Sequence, residues 1–428
     1  MSIPDAENNS AKPSLFGKFA FRAFSLYLFF YFLFISDFIN DFGDVYKWAP
    51  SLNKPFIDAG IWLINLVYRF ILHRKFPGFV GFNDNRVGLA GVLTFLVLAI
   101  LVAAIWTMID KGRKLPFFFK YAHAFARYYL AFILFAYGTG KIFDQQFYLF
   151  PEYMSVTVGR TVPMNILWIC MSISKSYKFF AGLCEIIPAI LLVFRRTSTI
   201  GALIALGVLF NVLMLDVAYE VILKLFLLNL MLFAIFILLP QIRRLLQIFV
   251  LQRTTSLFAM QPLLSKHKLL RYVIKSVIIG LWLFLFLKMN IDYVIKEGNK
   301  AYKQLVGIYP VGQFSIRPLK TAGQTNSLAW REVAIDDDDS VEIRLTNDSV
   351  FEWHMKVDTT KKTLRLTFPQ DTTVTGLIHY CLVSPDTWRF EGVFKNDSVS
   401  FVSKRIDMYD MPVMRTYGKV QWFRDSKN

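Results

Sequence analysis

The stretch YKFFAGLCEIIPAILLVFRRTSTIGALIALGVLFNV, residues 177–212, consists of two apolar runs separated by a short basic turn. A membrane-spanning helix needs about 20 consecutive and mostly apolar residues, and each run approaches that length on its own. Arg195 and Arg196 stand between the runs, and such arginines are typical of a loop at a membrane surface. The stretch therefore predicts two transmembrane helices joined by a tight turn.

The composition of the whole chain agrees with a membrane protein. Of its 428 residues, 55% are hydrophobic and 18% are charged, whereas soluble domains carry about 25% charged residues. Most of the net charge of +17 lies in short loops next to apolar runs, where orientation in the membrane and contact with anionic lipid explain it. We therefore expect a lipid bilayer as the surroundings and no nucleic acid as a partner.

Seven apolar runs of the chain, two of them in residues 177–212, are long enough to span a membrane. They lie at about 17–40, 87–109, 118–143, 177–194, 198–217, 221–240 and 269–290. A further segment, 55–72, contains Asp58, Asn65 and Arg69 and is predicted to be an interfacial or re-entrant helix. The expected architecture is an α-helical integral membrane bundle of about seven transmembrane helices.

Lysines and arginines give this bundle an orientation, because they cluster in four places on one side of it. The four places are the start of the first span (Lys12, Lys18, Arg22) and the connections between spans two and three (Lys111, Arg113, Lys114, Lys120), four and five (Arg195, Arg196), and six and seven (Arg243, Arg244, Arg253, Lys266, Lys268, Arg271). Positively charged loops stay in the cytoplasm. We expect a bacterial cytoplasmic (inner) membrane protein whose N-terminus is cytoplasmic and whose chain after the seventh span is extracytoplasmic.

From about residue 305 the hydrophobic pattern changes to a period of two. In VFEWHMKVD, residues 350–358, the apolar Trp353, Met355 and Val357 alternate with polar neighbours. This alternation is typical of half-buried antiparallel strands, and at least six such runs follow one another with turn sequences between them. We expect a C-terminal all-β antiparallel domain, either a lipocalin-like half barrel or a sandwich.

These patterns divide the chain into four regions. Residues 1–116 form an N-terminal membrane region with two spans and an interfacial helix, and 117–240 form a four-helix membrane unit. Residues 241–304 contain an amphipathic linker, the seventh span and a helical extension, and 305–428 form the extracytoplasmic β domain.

The run DDDD, Asp336 to Asp339, raises the question of a calcium site. The glycine and the closing glutamate of an EF-hand loop are absent, so a solvated turn between two strands is predicted instead. The three cysteines form no C-x-x-C pair and the five histidines show no ligand spacing, so we expect no dedicated metal site.

Polar residues within the spans are the candidate functional residues, because such groups are costly in a membrane and usually face the bundle interior. Spans three to six contain Arg127, Lys141, Glu185, Asn211, Asp216, Glu220 and Lys224. At a rise of about 1.5 Å per residue, all of them except Arg127 fall in the half nearer the β domain. Lys141 is predicted to pair with Asp216 and Lys224 with Glu220, although anchoring of lysines at helix ends is the alternative.

Glu185 is different, because it lies near the middle of the fourth span, where no basic residue of spans three to six shares its depth. We expect it to be protonated, reached by a lysine, or hydrogen-bonded by a group such as Asn211. Gly182 and Pro188 flank it at three residues on either side and would let a neighbouring helix approach.

Residues 119–239 resemble the DoxX/DoxD-like family of small bacterial membrane proteins. The resemblance rests on RYYLAFILFAYGTGKIF (127–143), on the opening stretch, and on LKLFLLNLMLFAIFILL (223–239). It implies a DoxX-like four-helix unit whose functional positions are Arg127, Tyr137, Lys141, Gly182, Glu185 and Asn211. This chain departs from the family in its three additional spans and its β domain.

Some members of that family look like the small membrane subunit of a thiosulfate:quinone oxidoreductase. The resemblance therefore implies a quinone as the candidate cofactor and a redox partner subunit, because the chain has no cysteine pair or histidine cluster for a redox centre. Glu185 and Lys141 are the expected catalytic groups. The expected substrate-binding residues are Arg127, Tyr137, Gly182, Asn211, Asp216 and Lys224.

The sequence leaves open whether the chain is an enzyme. In the first hypothesis, a quinone or similar amphiphile binds in the outer half of spans three to six in a redox-linked role. In the alternative, a non-enzymatic envelope protein anchors an extracytoplasmic β domain that binds a partner protein or a lipid. A transporter is less favoured, because no inverted repeat is readable.

Overall fold

The computed structural model describes residues 14–35, 49–78, 84–110, 115–255, 267–298, 302–312, 314–318, 329–369, 371–395, 397–414 and 417. The chain divides into two compact units. The membrane unit consists of Met1–Gly140 and Ala181–Met289, and the sheet unit consists of Lys141–Phe180 and Asn290–Asn428. Among the residues used above to orient the bundle, Lys12, Lys111, Arg113, Lys114 and Lys266 lie outside the described residues.

The described part of the chain contains ten α-helices. They are α1 (Leu15–Phe30), α2 (Ala49–Phe70), α3 (Arg86–Asp110), α4 (Leu115–Ile142), α5 (Pro163–Ser172), α6 (Lys175–Val193), α7 (Ser198–Ala218), α8 (Lys224–Leu238), α9 (Ile242–Phe249) and α10 (Lys268–Gly298). Long apolar runs become helices because every backbone polar group must be satisfied within its own segment in hydrocarbon. The predicted extension of the seventh span is present, since α10 continues to Gly298.

Six helical segments are long and apolar enough to cross a membrane. They are Leu15–Ile35, Arg86–Asp110, Lys175–Val193, Ser198–Ala218, Lys224–Phe249 and Lys268–Asp292. Each coincides with a predicted span, so the multi-pass helical bundle is confirmed. The remaining predicted span is α4, which has 28 residues but contains Lys120, Arg127 and Lys141 and is not one of the six. A count of seven spans is therefore not confirmed.

The segment predicted as an interfacial or re-entrant helix is α2, which is also not one of the six. One of its faces belongs to the core of the membrane unit, because Ile64 and Tyr68 are buried there. Gly60 lies on the same face, and a Cβ atom at Gly60 would be 3.0 Å from the carbonyl oxygen of Phe34. The polar residues that motivated the prediction lie on the opposite, exposed face (Asp58, Asn65, Arg69).

Aromatic side chains hold α1, α4 and α8 together in the membrane unit. Phe21 stacks on Phe236 and Phe24 meets the same ring edge-on, each with a centroid distance of 5.3 Å. The ring of Tyr129 lies 4.6 Å from that of Phe233. Such pairs stabilise by roughly 0.5–1.5 kcal/mol beyond the burial of their area, so this cluster fixes how the three helices pack.

The described residues of the sheet unit form nine strands in a single antiparallel sheet. They are β1 (Gly307–Pro310), β2 (Phe314–Pro318), β3 (Trp330–Ile335), β4 (Ser340–Leu345), β5 (Val350–Asp358), β6 (Thr363–Phe368), β7 (Asp371–Ser384), β8 (Thr387–Phe394) and β9 (Asp397–Lys404), in the order β1-β3-β4-β5-β6-β7-β8-β9-β2. The strands from β3 to β9 therefore form an up-and-down meander. The predicted all-β antiparallel domain is confirmed.

The sheet curls until its first strand meets the chain that follows β9. Ile308 and Ile406 exchange two backbone hydrogen bonds of 3.0 and 2.8 Å, and the Ser403 hydroxyl donates to the carbonyl oxygen of Pro310 at 2.7 Å. Gly307 is needed at this point, because a Cβ atom there would lie 2.9 Å from the Ile406 carbonyl oxygen. Of the two predicted forms, the structure is the half barrel rather than the sandwich.

Large side chains fill the inner face of the sheet. Trp353, Tyr309 and Phe390 are almost completely buried, and the Phe390 ring stacks on Phe401 with a centroid distance of 4.9 Å. Alternate residues point inward along each strand, which is the arrangement that the period-two pattern predicted. The sheet is therefore closed over a solid side-chain core.

The segment between α4 and α6 belongs to the sheet unit rather than to the helices that flank it. Its turn Pro151–Met154 lies against β1 and β3, and Leu149 packs with Met408 and Met414. This segment and the chain after α10 must then lie on the same side of the membrane, which requires an even number of crossings between them. The helices α6, α7, α8 and α10 supply four.

Candidate functional site

Glu185 is buried in the membrane unit, with 4% of its surface exposed. It lies on α6, and the buried Gly182, Ala189 and Leu192 share its face because of their three- and four-residue spacing. Its carboxyl group therefore points toward other helices rather than toward lipid, which is where polar groups of functional membrane helices are found.

The helix α4 approaches α6 closely, one turn away from Glu185. A Cβ atom at Gly138 would lie 2.8 Å from the Gly182 carbonyl oxygen and 2.7 Å from Cγ1 of Ile186. The two backbones meet at this point because both residues lack a side chain, which agrees with the approach expected at Gly182. Tyr137 is next to this contact, and its ring lies 5.6 Å from that of Phe226 on α8.

Lys224 has a different partner from the one predicted. Its Nζ lies 3.4 Å from a carboxylate oxygen of Asp84, whereas the predicted partner, Glu220, is exposed in a left-handed backbone conformation. Asp84 also accepts the backbone N–H groups of Lys224 and Leu225, each at 2.7 Å. The prediction was wrong because a carboxylate at a helix N-terminus satisfies free N–H groups and the helix dipole, which a same-helix ion pair does not.

The two polar residues of α7 lie on different faces of the helix. Asp216 is buried, in line with Ala202, Ala205 and Leu209, whereas Asn211 is exposed. Five residues of α-helix rotate the direction of the side chain by about 140°, so the two positions cannot share one face. The membrane unit thus has Asp216 on its inner side and Asn211 on its outer side.

Lys141 is the first residue of the sheet unit. Its Nζ donates a hydrogen bond of 2.9 Å to Oε1 of Gln146 and lies 5.8 Å from the centre of the Phe147 ring. Its side chain is thus buried among residues that follow it closely in sequence. The predicted pairing with Asp216 stays a prediction.

Arg127 binds the end of α6 rather than the region of Glu185. Its guanidinium group donates to the carbonyl oxygens of Leu192 and Val193, each at 3.1 Å. Leu192 lies about 10 Å along α6 from Glu185 at the usual helical rise. Of the predicted site residues, the structure thus places Tyr137, Gly182 and Glu185 near one helix contact, and it places Arg127, Asn211 and Lys224 elsewhere.

Two buried polar pairs were missed by sequence analysis. Arg22 of α1 forms an ion pair with Asp110 of α3, and its NH1 also donates to the Thr107 hydroxyl at 3.2 Å. The hydroxyl of Tyr27 donates to the side-chain oxygen of Asn229 on α8. Asn229 is recognisable in the sequence as a polar residue in an apolar run. Its partner, Tyr27, is 202 residues away, so no local sequence pattern could have predicted the pair.

A comparison with curated proteins finds a relative. A stretch of 115 residues is 30% identical to "Uncharacterized protein YwoB" of Bacillus subtilis (strain 168), and the match covers 27% of this chain and 73% of YwoB. The chain belongs to the same family as YwoB. No family model matches it, and no solved structure matches it. The name YwoB states no activity, so the resemblance to DoxX/DoxD-like proteins stays a prediction.

The sheet unit contains a polar cluster of its own, at the DDDD turn between β3 and β4. Asp336 is 1% exposed and Asp337 is 9% exposed, whereas Asp338 and Asp339 are exposed, so the prediction of a solvated turn is wrong for the first half of the run and holds for the second. The hydroxyl of Tyr302 donates to the carboxylate of Asp339 and to the Asp337 carbonyl oxygen, and Tyr148 hydrogen-bonds to the Asp337 side chain. These tyrosines come from segments that are distant in sequence and lie against the turn. The run DDDD itself does not predict these contacts.

Glu152, in the segment between α4 and α6, adds a further carboxyl group to this cluster. Burial, together with the nearby charges of Glu342 and Asp338, raises the pKa of Glu152 to about 8. Burial and the neighbouring Asp338 also raise the pKa of Asp336, and burial raises the pKa of Glu342 despite the Arg344 guanidinium beside it. With a pKa of about 8, Glu152 is expected to be mostly protonated at neutral pH. Among the described residues, no group of three or more histidines, cysteines or acidic residues is arranged to hold a metal ion.

Raising the pH is expected to destabilise the sheet unit. A carboxyl group whose pKa is higher in the folded chain stabilises that state fully below its unfolded pKa, and the stabilisation is lost as the pH rises through the folded value. For Glu152 this window runs from 4.5 to about 8. We expect the thermal midpoint in detergent, followed by tryptophan fluorescence, to be lower at about pH 9 than at about pH 5.

The substitution Glu152→Gln should flatten this pH dependence, because glutamine fills the same space and does not ionise. The matched control is Glu391→Gln, since Glu391 is exposed on β8. The explanation would be contradicted by a Glu152→Gln variant with the same pH dependence as the parent chain.

Proposed function

We propose that the membrane unit binds a quinone or a similar amphiphile in a redox-linked role, with Glu185 as the group that exchanges a proton with the ring oxygen. The observation that carries the proposal is the position of the Glu185 carboxyl, buried on the face of α6 that α4 approaches. A buried ionisable group within a membrane helix is costly and is usually retained for ligand or proton handling.

The chemistry of such a site follows from the residues around Glu185. Reduction of a quinone to its quinol takes up two electrons and two protons, and a protonated Glu185 can supply one proton to a ring oxygen. The electrons would come from an electron-carrying partner protein. The aromatic side chains next to the helix contact, Tyr137 and Phe226, offer flat apolar surfaces for a ring and its tail.

The proposed sidedness rests on the distribution of charge in the bundle. The C-terminal ends of α6 and α8 are each followed by a pair of arginines, Arg195 and Arg196 after α6 and Arg243 and Arg244 after α8. In the sequence, neither of these ends is next to a segment of the sheet unit. By the positive-inside rule these ends lie in the cytoplasm, which would place the sheet unit outside the inner membrane. With Cys170, Cys184 and Cys381 replaced by serine, a single cysteine introduced at Asp386 should be labelled in intact cells by a membrane-impermeant reagent, whereas one introduced at Arg196 should not.

Replacing Glu185 by glutamine is expected to weaken quinone binding by about tenfold or more, because a charge-assisted or proton-sharing hydrogen bond is lost. The measurement is titration of the purified full chain with a short-chain ubiquinone, followed by quenching of tryptophan fluorescence. Glu220→Gln is the matched control, because it removes an exposed carboxylate from the loop after α7.

The alternative function, an envelope protein whose bundle anchors the β domain, gives the opposite result. Wild-type chain that neither retains nor binds quinone, together with a Glu185→Gln variant that behaves identically, would rule out the redox-linked proposal. The half barrel would then be the functional part. Its inner face is filled by side chains, so a partner or lipid would bind to its outer surface.

A further inference from the structure

The helix α7 carries an asparagine on the face that the membrane unit leaves exposed. Asn211 follows Val208, the middle residue of α7, by three positions or about 5 Å along the axis, so it lies well inside the span. Its side chain is exposed, and within the described part of the chain it forms no hydrogen bond. An amide in this position is costly, because lipid tails offer it no donor and no acceptor.

Asn229 on α8 shows how the same fold satisfies an amide that it buries. The side-chain NH2 group of Asn229 donates to the Leu225 carbonyl oxygen at 2.7 Å, and its side-chain oxygen accepts the Tyr27 hydroxyl. A bond from Asn211 to a carbonyl oxygen of its own helix would use one N–H and still leave the side-chain oxygen unpaired. Full satisfaction of Asn211 therefore requires a polar group from outside the chain.

The exposed residues around Asn211 form a regular stripe along α7. They follow one another at intervals of three and four residues, which is the period of 3.5 at which two helices stay in contact along their length. A Cβ atom at Gly207, one turn before Asn211, would lie in open space with no neighbour within 4 Å, so a second helix can approach closely there. The stripe consists of Ile204, Gly207, Asn211, Met214 and Ala218.

We propose that two copies of this chain associate in the membrane through this stripe of α7, with their Asn211 side chains hydrogen-bonded to each other across a two-fold axis. The amide has complementary partial charges, positive on its NH2 group and negative on its oxygen, so two antiparallel amides each donate and accept one hydrogen bond. Asn211 then joins two copies rather than binding a small ligand.

A second copy fits this stripe better than an unrelated helix does, because of depth. Two copies inserted in the same orientation and related by an axis along the membrane normal have residue 211 at the same depth, so the two amides meet. The helix of another protein would need its own polar group at that depth, facing the same way.

The test uses the full chain with Cys170 and Cys184 replaced by serine, labelled on the exposed Cys381 with a donor fluorophore in one batch and an acceptor in another. The batches are mixed in phosphatidylcholine liposomes at increasing dilution, and energy transfer gives an apparent dissociation constant. We expect saturable transfer that unlabelled chain competes away. Transfer no greater than that of random encounters, even at a high ratio of protein to lipid, would overturn the proposal.

Substitutions of Asn211 identify the group that holds the two copies together. Asn211→Leu should raise the dissociation constant by about tenfold, which corresponds to the loss of two hydrogen bonds between membrane helices. Asn211→Gln keeps an amide and should retain most of the association. Asn65→Leu is the matched control, because it removes the same side chain from an exposed position of α2. The site would be contradicted if Asn211→Leu associated as tightly as the parent chain, or if the control weakened association equally.

Gly207→Leu tests the close approach of the two helices. The added side chain should hold the two copies apart and weaken association, whereas the folding stability of the separate chain should not fall, because leucine is the better helix former. Association unchanged by this substitution would show that the helices do not meet along this stripe.

Discussion

Replacing Arg22 by leucine is expected to destabilise the membrane unit by about 3–5 kcal/mol. Arg22 is completely buried, and its guanidinium group pairs with Asp110, donates to Thr107 and lies 4.8 Å from the centre of the Trp106 ring. Leucine would leave the Asp110 carboxylate without this partner at the end of a helix whose one other charged residue, Arg86, lies at the opposite end. The measurement is unfolding of the full chain in mixed micelles with increasing sodium dodecyl sulfate.

The double variant Arg22→Leu, Asp110→Leu separates the cost of an unpaired charge from a loss of packing. Replacing both partners of a buried ion pair by apolar residues is often nearly neutral, so the double variant should regain most of the lost stability. Lys18→Leu, one turn earlier on the same helix, is the matched control and should change stability by about 1 kcal/mol or less. A double variant as unstable as Arg22→Leu would show that the arginine acts through packing instead.

Replacing Gly138 by leucine is the second substitution for which we expect a large effect. A Cβ atom at this position already lies 2.8 Å from the Gly182 carbonyl oxygen and 2.7 Å from Cγ1 of Ile186, and the first of these is backbone that cannot rotate away. The helices α4 and α6 must separate to admit a larger side chain. We expect a loss of about 3 kcal/mol, the upper end of the roughly 1–3 kcal/mol that overpacking a tight core costs, because backbone has to move.

The control for this substitution is Gly207→Leu on α7. A Cβ atom at Gly207 meets no other atom within 4 Å, so a leucine there points into open space or lipid. Its stability should equal or slightly exceed that of the parent chain, because glycine is the weaker helix former. If both variants lost the same stability, the close contact of α4 and α6 would not be the cause. Gly138→Leu should also weaken quinone binding if the proposed site is correct, since Glu185 lies one turn from this contact.

The membrane helices and the strands were predictable because each rests on a local pattern. A continuous apolar run of about 20 residues forms a helix in hydrocarbon, because only a helix satisfies the backbone hydrogen bonds within a single segment. The six spanning segments therefore lie where the hydropathy of the sequence predicts them. The strands of the half barrel follow the alternation seen in residues 350–358, because successive side chains of a strand point to opposite faces.

The partners of the polar residues were not predictable in the same way. Lys224 was expected to pair with Glu220 on its own helix, but it pairs with Asp84, which is 140 residues away in sequence. Depth along a span can be counted from the sequence, whereas the direction of a side chain around the bundle depends on how the helices cross. Asn211 and Asp216 show this, since both fall in the half of their span that the sequence places nearer the β domain and their exposures are opposite.

The period of the apolar residues is enough to show that this chain has a multi-pass helical part and an antiparallel β part. Which polar groups are buried, and what they contact, depends on how the helices and strands pack in three dimensions. The first two aspartates of the DDDD turn are buried because Tyr148, Glu152 and Tyr302 lie against the turn, and Arg127 lies at the end of α6 because unpaired carbonyl groups attract its charge. Such contacts join residues far apart in the chain, so their energy is set by packing in three dimensions rather than by any local pattern.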